Sequence, residues 1–264
     1  MNITIKKFLG SIFAFTLIVI LAACSSDPEV SYEKKNYSVE ASTVKQISLS
    51  TKGRSVELEA SKDDEIHITY FESDKESYNV DLQDNGDLMM QLVTDKDWKD
   101  YIGLKTDKEH HLVKIAVPNG ISSGVKIETS NEDIILSNLK IDGQVEATTN
   151  EGKIKASNIT TNKNIKMKTK NDDIILDEVS AEGSIEATSN KGDTKVSNVS
   201  VGDALKLRTK DGDITGTVKG SYDLFKIISE VSKGENNLPE TKKGGNKTLD
   251  VGANNGDINI EFVE

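Results

Sequence analysis

From Val125 to Gly216 the sequence repeats itself every 20 residues without a gap. One column of the repeat reads Val125, Val145, Ile165, Ile185, Leu205, and two residues on stand Ile127, Ala147, Met167, Ala187, Leu207. Then come Thr129, Thr149, Thr169, Ser189, Thr209, a polar turn, and Ile134, Ile154, Ile174, Thr194, Ile214. A later apolar column holds Leu139, Ile159, Val179, Val199. A fixed period of this length means stacked units, each burying its apolar face only against its neighbours. Alternation of apolar and polar residues within each unit marks half-buried strands. The predicted fold is therefore all-β: a repetitive, β-helix-like solenoid of 20–22-residue rungs, with a two-sheet antiparallel stack as the alternative. Seven rungs about 4.8 Å apart predict a core about 34 Å long.

Two columns argue for stacking in detail. The column at 127 runs large, small, large, small, large, and that at 136 (Leu136, Ala156, Leu176, Val196, Gly216) tends the same way. Large side chains over small ones interdigitate, as close packing requires. The outward column Lys126, Glu146, Lys166, Glu186, Lys206 alternates in charge. Opposite charges on adjacent strands attract by about 0.2–1 kcal/mol a pair. The structural unit is then the 40-residue pair. The turns read Asn131-Glu132-Asp133, Glu151-Gly152-Lys153, Asn171-Asp172-Asp173, Lys191-Gly192-Asp193 and Asp211-Gly212-Asp213. Asn, Asp and Gly tolerate turn conformations that other residues resist. After Gly216 the motif returns at steps of 22, at Lys233-Gly234-Glu235 and Asn255-Gly256-Asp257-Ile258.

Ahead of the repeat, residues 38–118 alternate polar and apolar without a clean register. They are expected to form irregular rungs and a cap over the open sheet edge. Residues 119–264 form the regular solenoid. Trp98 lies in a charged stretch of the cap.

The chain begins with Lys6 and Lys7, followed by a mostly apolar run of 16 residues from Phe8 to Ala23. This order is that of a secretory signal, and the run is short for a spanning helix, which needs about 20 residues. It ends Leu21-Ala22-Ala23-Cys24, which resembles the bacterial lipobox. That resemblance implies a diacylglyceryl group on Cys24 and cleavage after Ala23. Residues 1–23 are then a leader, and residues 24–37, which lack periodicity, a lipidated tether. Cys24 is the only cysteine, so no internal disulfide can form. Stable anchoring takes more than one acyl chain, which a diacylated cysteine supplies.

Loss of the leader with Lys6 and Lys7 takes the formal charge from −11 to −13. Only two arginines, Arg54 and Arg208, are present, and neither stands out as part of a cluster. Nucleic-acid binding rests on neutralising phosphates, so that class is excluded. Asp133, Asp173, Asp193, Asp213 and Asp257 form a candidate column of Ca²⁺-binding carboxylates. Calcium takes six to eight oxygens, whereas Lys153 interrupts the column, so solvated turn residues are the favoured reading and no metal is expected. His67, His110 and His111 read as surface residues. Carboxylate pairs for glycoside hydrolysis need set separations, which abundance alone does not supply.

The segments Val113 to Pro118 and Val125 to Ile134 resemble a bacterial family of candidate adhesins. Its mark is a strand, an Asn/Asp-Gly-Asp-Ile turn and a strand, seen most fully at Asp211-Gly212-Asp213-Ile214 and Asn255-Gly256-Asp257-Ile258. The resemblance covers about residues 40–263. It implies a repetitive β fold at the cell surface and no reaction. Lys153 departs from its Asp, Glu132 and Asp172 from its Gly, and Thr194 from its Ile. The functional expectation is a non-catalytic, lipid-anchored extracytoplasmic protein, with a Gram-positive envelope favoured by residue content. It carries no cofactor beyond its lipid and contacts envelope polymer, another surface protein or a host surface. An envelope sensor working with a membrane partner is the alternative, and a carbohydrate-active enzyme the third.

Overall fold

The computed structural model describes residues 30–96 and 107–264. Leu21, Ala22, Ala23, Cys24 and Trp98 lie outside the described residues. Ahead of the repeat come β1 (Glu33–Glu40), β2 (Gln46–Ser50), β3 (Ser55–Ala60), β4 (Glu65–Glu72), β5 (Glu76–Leu82), β6 (Asp87–Thr94) and β7 (Leu112–Val117). The repeat supplies five strand pairs. These are β8 (Gly124–Glu128) with β9 (Ile134–Ile141), β10 (Val145–Thr148) with β11 (Ile154–Thr161), β12 (Ile165–Lys168) with β13 (Ile174–Ala181), β14 (Ile185–Lys191) with β15 (Thr194–Val201), and β16 (Ala204–Asp211) with β17 (Ile214–Lys219). After it come β18 (Phe225–Lys233), β19 (Thr241–Lys242), β20 (Lys247–Asn255) and β21 (Ile258–Val263). Each unit gives its first strand to one sheet and its second to the other. Among the described residues the sheets hold ten and eleven strands. Nine intervals of about 4.8 Å make the rod about 43 Å long, longer than seven rungs allow.

The core lies between the sheets. In one unit Val145 and Ala147 point inward from the first strand, and Ile154, Ala156 and Ile159 from the second, all fully buried. Met167 and Leu176, in the next unit, fill the space above Ala147 and Ala156. Each buried Ile or Leu contributes about 1.5–3 kcal/mol. The second strand breaks its own alternation, with inward residues at 136 and 139 rather than 136 and 138. Asn138, Asn158, Glu178 and Asn198 sit at the break with φ of 53° to 55°. That left-handed conformation lets two successive residues face outward and returns the next to the core. Asn158 Nδ2 donates to Asn138 Oδ1 at 3.0 Å. Glu178 lacks Asn's short side chain, and the left-handed region costs most residues about 1–2 kcal/mol. Glu178→Asn is therefore expected to raise stability by up to about 1 kcal/mol. A urea titration showing no gain would refute the strain.

Both ends differ from the expectation. β2 and β3 form a regular rung, with Ile47 opposite Val125, Leu49 opposite Ile127 and Val56 opposite Ile134. Residues 61–123, inserted after that rung, hide its register in the sequence. β6 and β7 lie outside it, parallel to β2 and β3, so the chain lays down an inner rung before an outer one. The far end mirrors this. β20 lies between β16 and β18, and the spatial order of the turns is 211, 255, 233 rather than sequential. Among the described residues, antiparallel strand pairing is confined to the ends, at β1–β4, β4–β7, β5–β6 and β18–β19. Everywhere else the strands are parallel, which overturns the antiparallel-stack alternative. The proposed tether is also too long, because its last residues belong to β1. Exposed Glu33 and Lys34, with Lys35 near them, mark β1 as a charged edge strand, a common guard against edge-to-edge pairing.

Candidate functional site

The aspartate column is brought together by the stacking, but as a ladder. Asp133 Oδ1 accepts from the Lys153 backbone N–H at 2.8 Å, Asp173 from Asp193 at 2.9 Å and Asp193 from Asp213 at 3.0 Å. Asp213 accepts from Asp257, and Asp257 from Glu235, each at 2.8 Å. Each carboxylate thus caps a turn on the adjacent rung. Second oxygens are engaged too: Asp173 pairs with Lys153 Nζ at 3.3 Å and Asp193 with Lys195 Nζ at 3.1 Å. The Asp213 N–H, opposed by burial and aided by Lys195, holds the Asp193 carboxyl below its ordinary range. Among the described residues no group of three or more His, Cys, Asp or Glu side chains is placed to hold a metal ion. EDTA is expected to leave the thermal midpoint unchanged. A fall that Ca²⁺ restores would reinstate a metal.

The neighbouring hydroxyl column staples the same turns from inside. Thr129 Oγ1 donates to Arg54 O at 2.9 Å, Thr149 to Glu132 O at 3.1 Å and Thr169 to Gly152 O at 2.9 Å. Ser189 and Thr209 continue to Asp172 O and Gly192 O, both at 3.1 Å. Thr169 is completely buried. Thr169→Val keeps the shape but leaves Gly152 O without its donor, and is expected to cost about 1–3 kcal/mol. An unchanged urea midpoint would show that the staple contributes nothing.

At the N-terminal end lies a cluster that sequence reasoning missed. Arg54 occupies the turn position that holds Gly152, Gly192 and Gly212 in the repeat. Its side chain is 3% exposed and its Nη2 lies 2.7 Å from Glu76 Oε2, itself 5% exposed. Lys96 Nζ reaches the same oxygen at 2.7 Å. Tyr32 OH donates to it at 2.8 Å and accepts from Lys96 at 3.2 Å. Burial pushes the Glu76 carboxyl up. The Lys96 hydrogen bond, the Arg54 charge and Tyr32 outweigh it and hold the carboxyl below the usual range. Burial, then the Arg54 charge, pushes the His111 imidazole down to about 4. His111 is half-buried, with its Nε2 shut off from solvent, and Arg54 is clustered, where a surface and an isolated position were expected. His110 stacks on Tyr32 with centroids 4.9 Å apart. His67 fits the surface reading, bonded to Ser38 Oγ at 2.7 Å and Asp63 Oδ1 at 2.8 Å. The one available signal was Arg54 itself, a long cation where the turn elsewhere carries Gly or an acid.

The remaining candidate is the outer surface of the rod. On the eleven-stranded sheet Lys126, Glu146, Lys166, Glu186, Lys206 and Asp250 stand opposite one another in turn. Arg208 pairs with Asp250 across this face. The ten-stranded sheet shows Ile135, Lys155, Ile175 and Lys195 beside Ser137, Ser157, Asp177 and Ser197. One group therefore recurs about every 4.8 Å along the rod, and one sign of charge about every 9.6 Å on the first face.

A family model described as Toastrack DUF4097 matches residues 44–261. The chain belongs to the Toastrack DUF4097 family. The match takes in the out-of-order rungs of this Toastrack rod, so the insertions are part of the domain, and among the described strands only β1 lies ahead of it. Solved structures that the chain is similar to include a candidate cell adhesion protein from Clostridium sporogenes. It is 12% identical, with 88% of this chain and 100% of that chain covered, at a TM-score of 0.44. A candidate adhesin from Bacteroides fragilis is 15% identical, with 89% and 99% covered, at a TM-score of 0.43. No curated protein matches the Toastrack chain.

Proposed function

We propose that this Toastrack protein is a non-catalytic recognition rod, held at the extracytoplasmic face of a membrane by a diacylglyceryl group on Cys24. The observation that carries the recognition reading is the unbroken outward ladder Lys126, Glu146, Lys166, Glu186, Lys206, Asp250. Such a face matches a partner that is itself extended and repetitive, and needs no enclosed pocket. The tether reading rests on Leu21-Ala22-Ala23-Cys24. The rod begins close behind it: β1 starts at Glu33, and eight intervening residues reach at most about 28 Å. The N-terminal end would therefore lie near the bilayer and the far end away from it. A Gram-positive envelope, with its polymer outside a single membrane, suits that arrangement.

The test is expression of the full chain and Cys24→Ala in a bacterium, with intact mass and membrane partitioning. Diacylglyceryl mass on the wild type alone, with release of the variant, supports the tether. Equal release of both forms without lipid would overturn it. A solenoid groove lined by non-repeating carboxylates that turned over a polysaccharide would overturn the non-catalytic reading.

A further inference from the structure

No aromatic residue occurs from 119 to 221. Aromatics return at the C-terminal end, where Tyr222 is 40% exposed and Leu224 41%. The turn at Tyr222–Leu224 joins β17 to β18. The Tyr222 ring meets Phe262 edge-on at 5.3 Å. Lys242 Nζ sits 4.7 Å from the Tyr222 ring centroid and donates to Phe225 O at 2.8 Å. Lys247 Nζ lies 5.9 Å from the Phe225 ring centroid. The loop before β20 rests directly on this turn: a Cβ at Gly245 would lie 2.4 Å from Leu224 O. Lys226 and Lys243 are exposed beside them, and Lys219, also exposed, stands opposite Val263. Residues 219–226 and 242–247 thus bring five lysines together with one acid, Asp223. Asp203, Glu240 and Glu264 lie at the margin. None of the five lysines forms an ion pair among the described residues.

This concentration of positive charge stands out in a chain of net charge −11. Along the rod, lysines alternate with carboxylates, so their fields cancel within a Debye length of about 8–10 Å. At the tip they add. Lys242 and Lys247 are also held in place by ring faces and a carbonyl rather than by carboxylates, which leaves their charge unneutralised. We infer that the C-terminal tip is a binding site for a linear, base-free polyol phosphodiester polymer, not a nucleic acid. Lysine ammonium groups bind phosphate as point charges, and a flexible polymer can wrap a convex rim. An anionic bilayer fits less well, because two exposed apolar side chains offer little to insert and the rest of the acidic rod would be repelled. The tip lies at the opposite end of the ten-stranded sheet from β1. This inference goes beyond the recognition reading, which rests on the outer ladder and not on the tip, and does not depend on the lipid.

The probe is lipid-free poly(glycerol phosphate), titrated against the purified full chain over a range of salt. The wild type should bind. Lys219→Gln/Lys226→Gln/Lys243→Gln should weaken binding at least about tenfold and flatten the salt slope by about two, as each phosphate contact contributes about 0.7. Lys45→Gln/Lys52→Gln/Lys62→Gln, at exposed lysines towards the N-terminal end and with the same change in net charge, should bind as the wild type does. No binding by the wild type, or equal loss in both triple variants, overturns the proposal. Binding to phosphatidylglycerol vesicles without binding to the polymer overturns it in favour of a membrane contact. Absence of lipid on Cys24 would sink the tether and leave this result unchanged.

Discussion

Glu76→Gln is expected to destabilise the protein by about 3–5 kcal/mol, the usual cost of breaking a buried ion pair from one side. Glu76 is the shared carboxylate, ion-paired with Arg54 and Lys96 and accepting a hydrogen bond from Tyr32. Its loss leaves the Arg54 guanidinium buried without its carboxylate, and Arg54 Nε already lacks a hydrogen-bond partner. Arg54→Met/Glu76→Gln should recover part of the loss, because removing both partners also removes the desolvated charge. The pH dependence follows from the carboxyl's depressed pKa. Glu76 contributes its full stabilisation above its ordinary value of 4.5, and loses it as pH falls through the lower value it holds in the fold. His111 acts in the same direction. It folds neutral, so stability falls as pH drops from the ordinary 6.5 towards about 4. Urea midpoints at neutral pH and below pH 4.5 provide the check. The acid-induced drop should shrink in Glu76→Gln. A Glu76→Gln midpoint within error of the wild type would mean that the cluster contributes no net stability.

Ending the chain after Asn246 should unfold the C-terminal end of the rod while leaving its middle intact. β20 is bonded on both sides, to β16 and to β18, and β21 covers β17. Without them β18 loses its parallel partner, and the edges of β16 and β17 open. Bare parallel edges recruit other chains, so the truncated protein should self-associate. Stacked repeats couple mainly to their nearest neighbours, so the damage should fade with distance. Hydrogen exchange should show protection lost from 204 to 233 and kept from 134 to 181. Uniform loss along the rod would show a single cooperative unit. No loss would show that β20 is dispensable. The natural edge at β21 is guarded differently: Asn237 donates to Ile260 O at 2.9 Å and accepts from Ile260 N–H at 3.0 Å, so one amide side chain imitates a strand.

The regular middle was legible because each of its signals is local and repeats. The pairs Val145–Ile165 and Ile154–Ile174 follow directly from the 20-residue step, and the charge ladder from the column at 126. The hydroxyl column was visible as a column, but not as a set of staples, because its acceptors are carbonyls 17 residues upstream on the previous turn. The aspartates were visible as a column as well. Their partners are backbone N–H groups, which every residue has, and residue type cannot reveal which of them is aimed at a carboxylate.

The sequence by itself determined the repeating course of the rod: the rung period, the inward and outward columns and the turns between them. A repeat specifies its own register, since slipping by one residue would turn every apolar side chain to water. Only the tertiary structure decided what happens where the repeat stops. It put β2 and β3 inside β6 and β7, placed β20 between β16 and β18, joined Arg54 to Glu76, and gathered five lysines at one tip. Those outcomes depend on contacts between residues far apart in the chain, chosen by which open edge and which buried charge remained to be covered, and no local pattern encodes that choice.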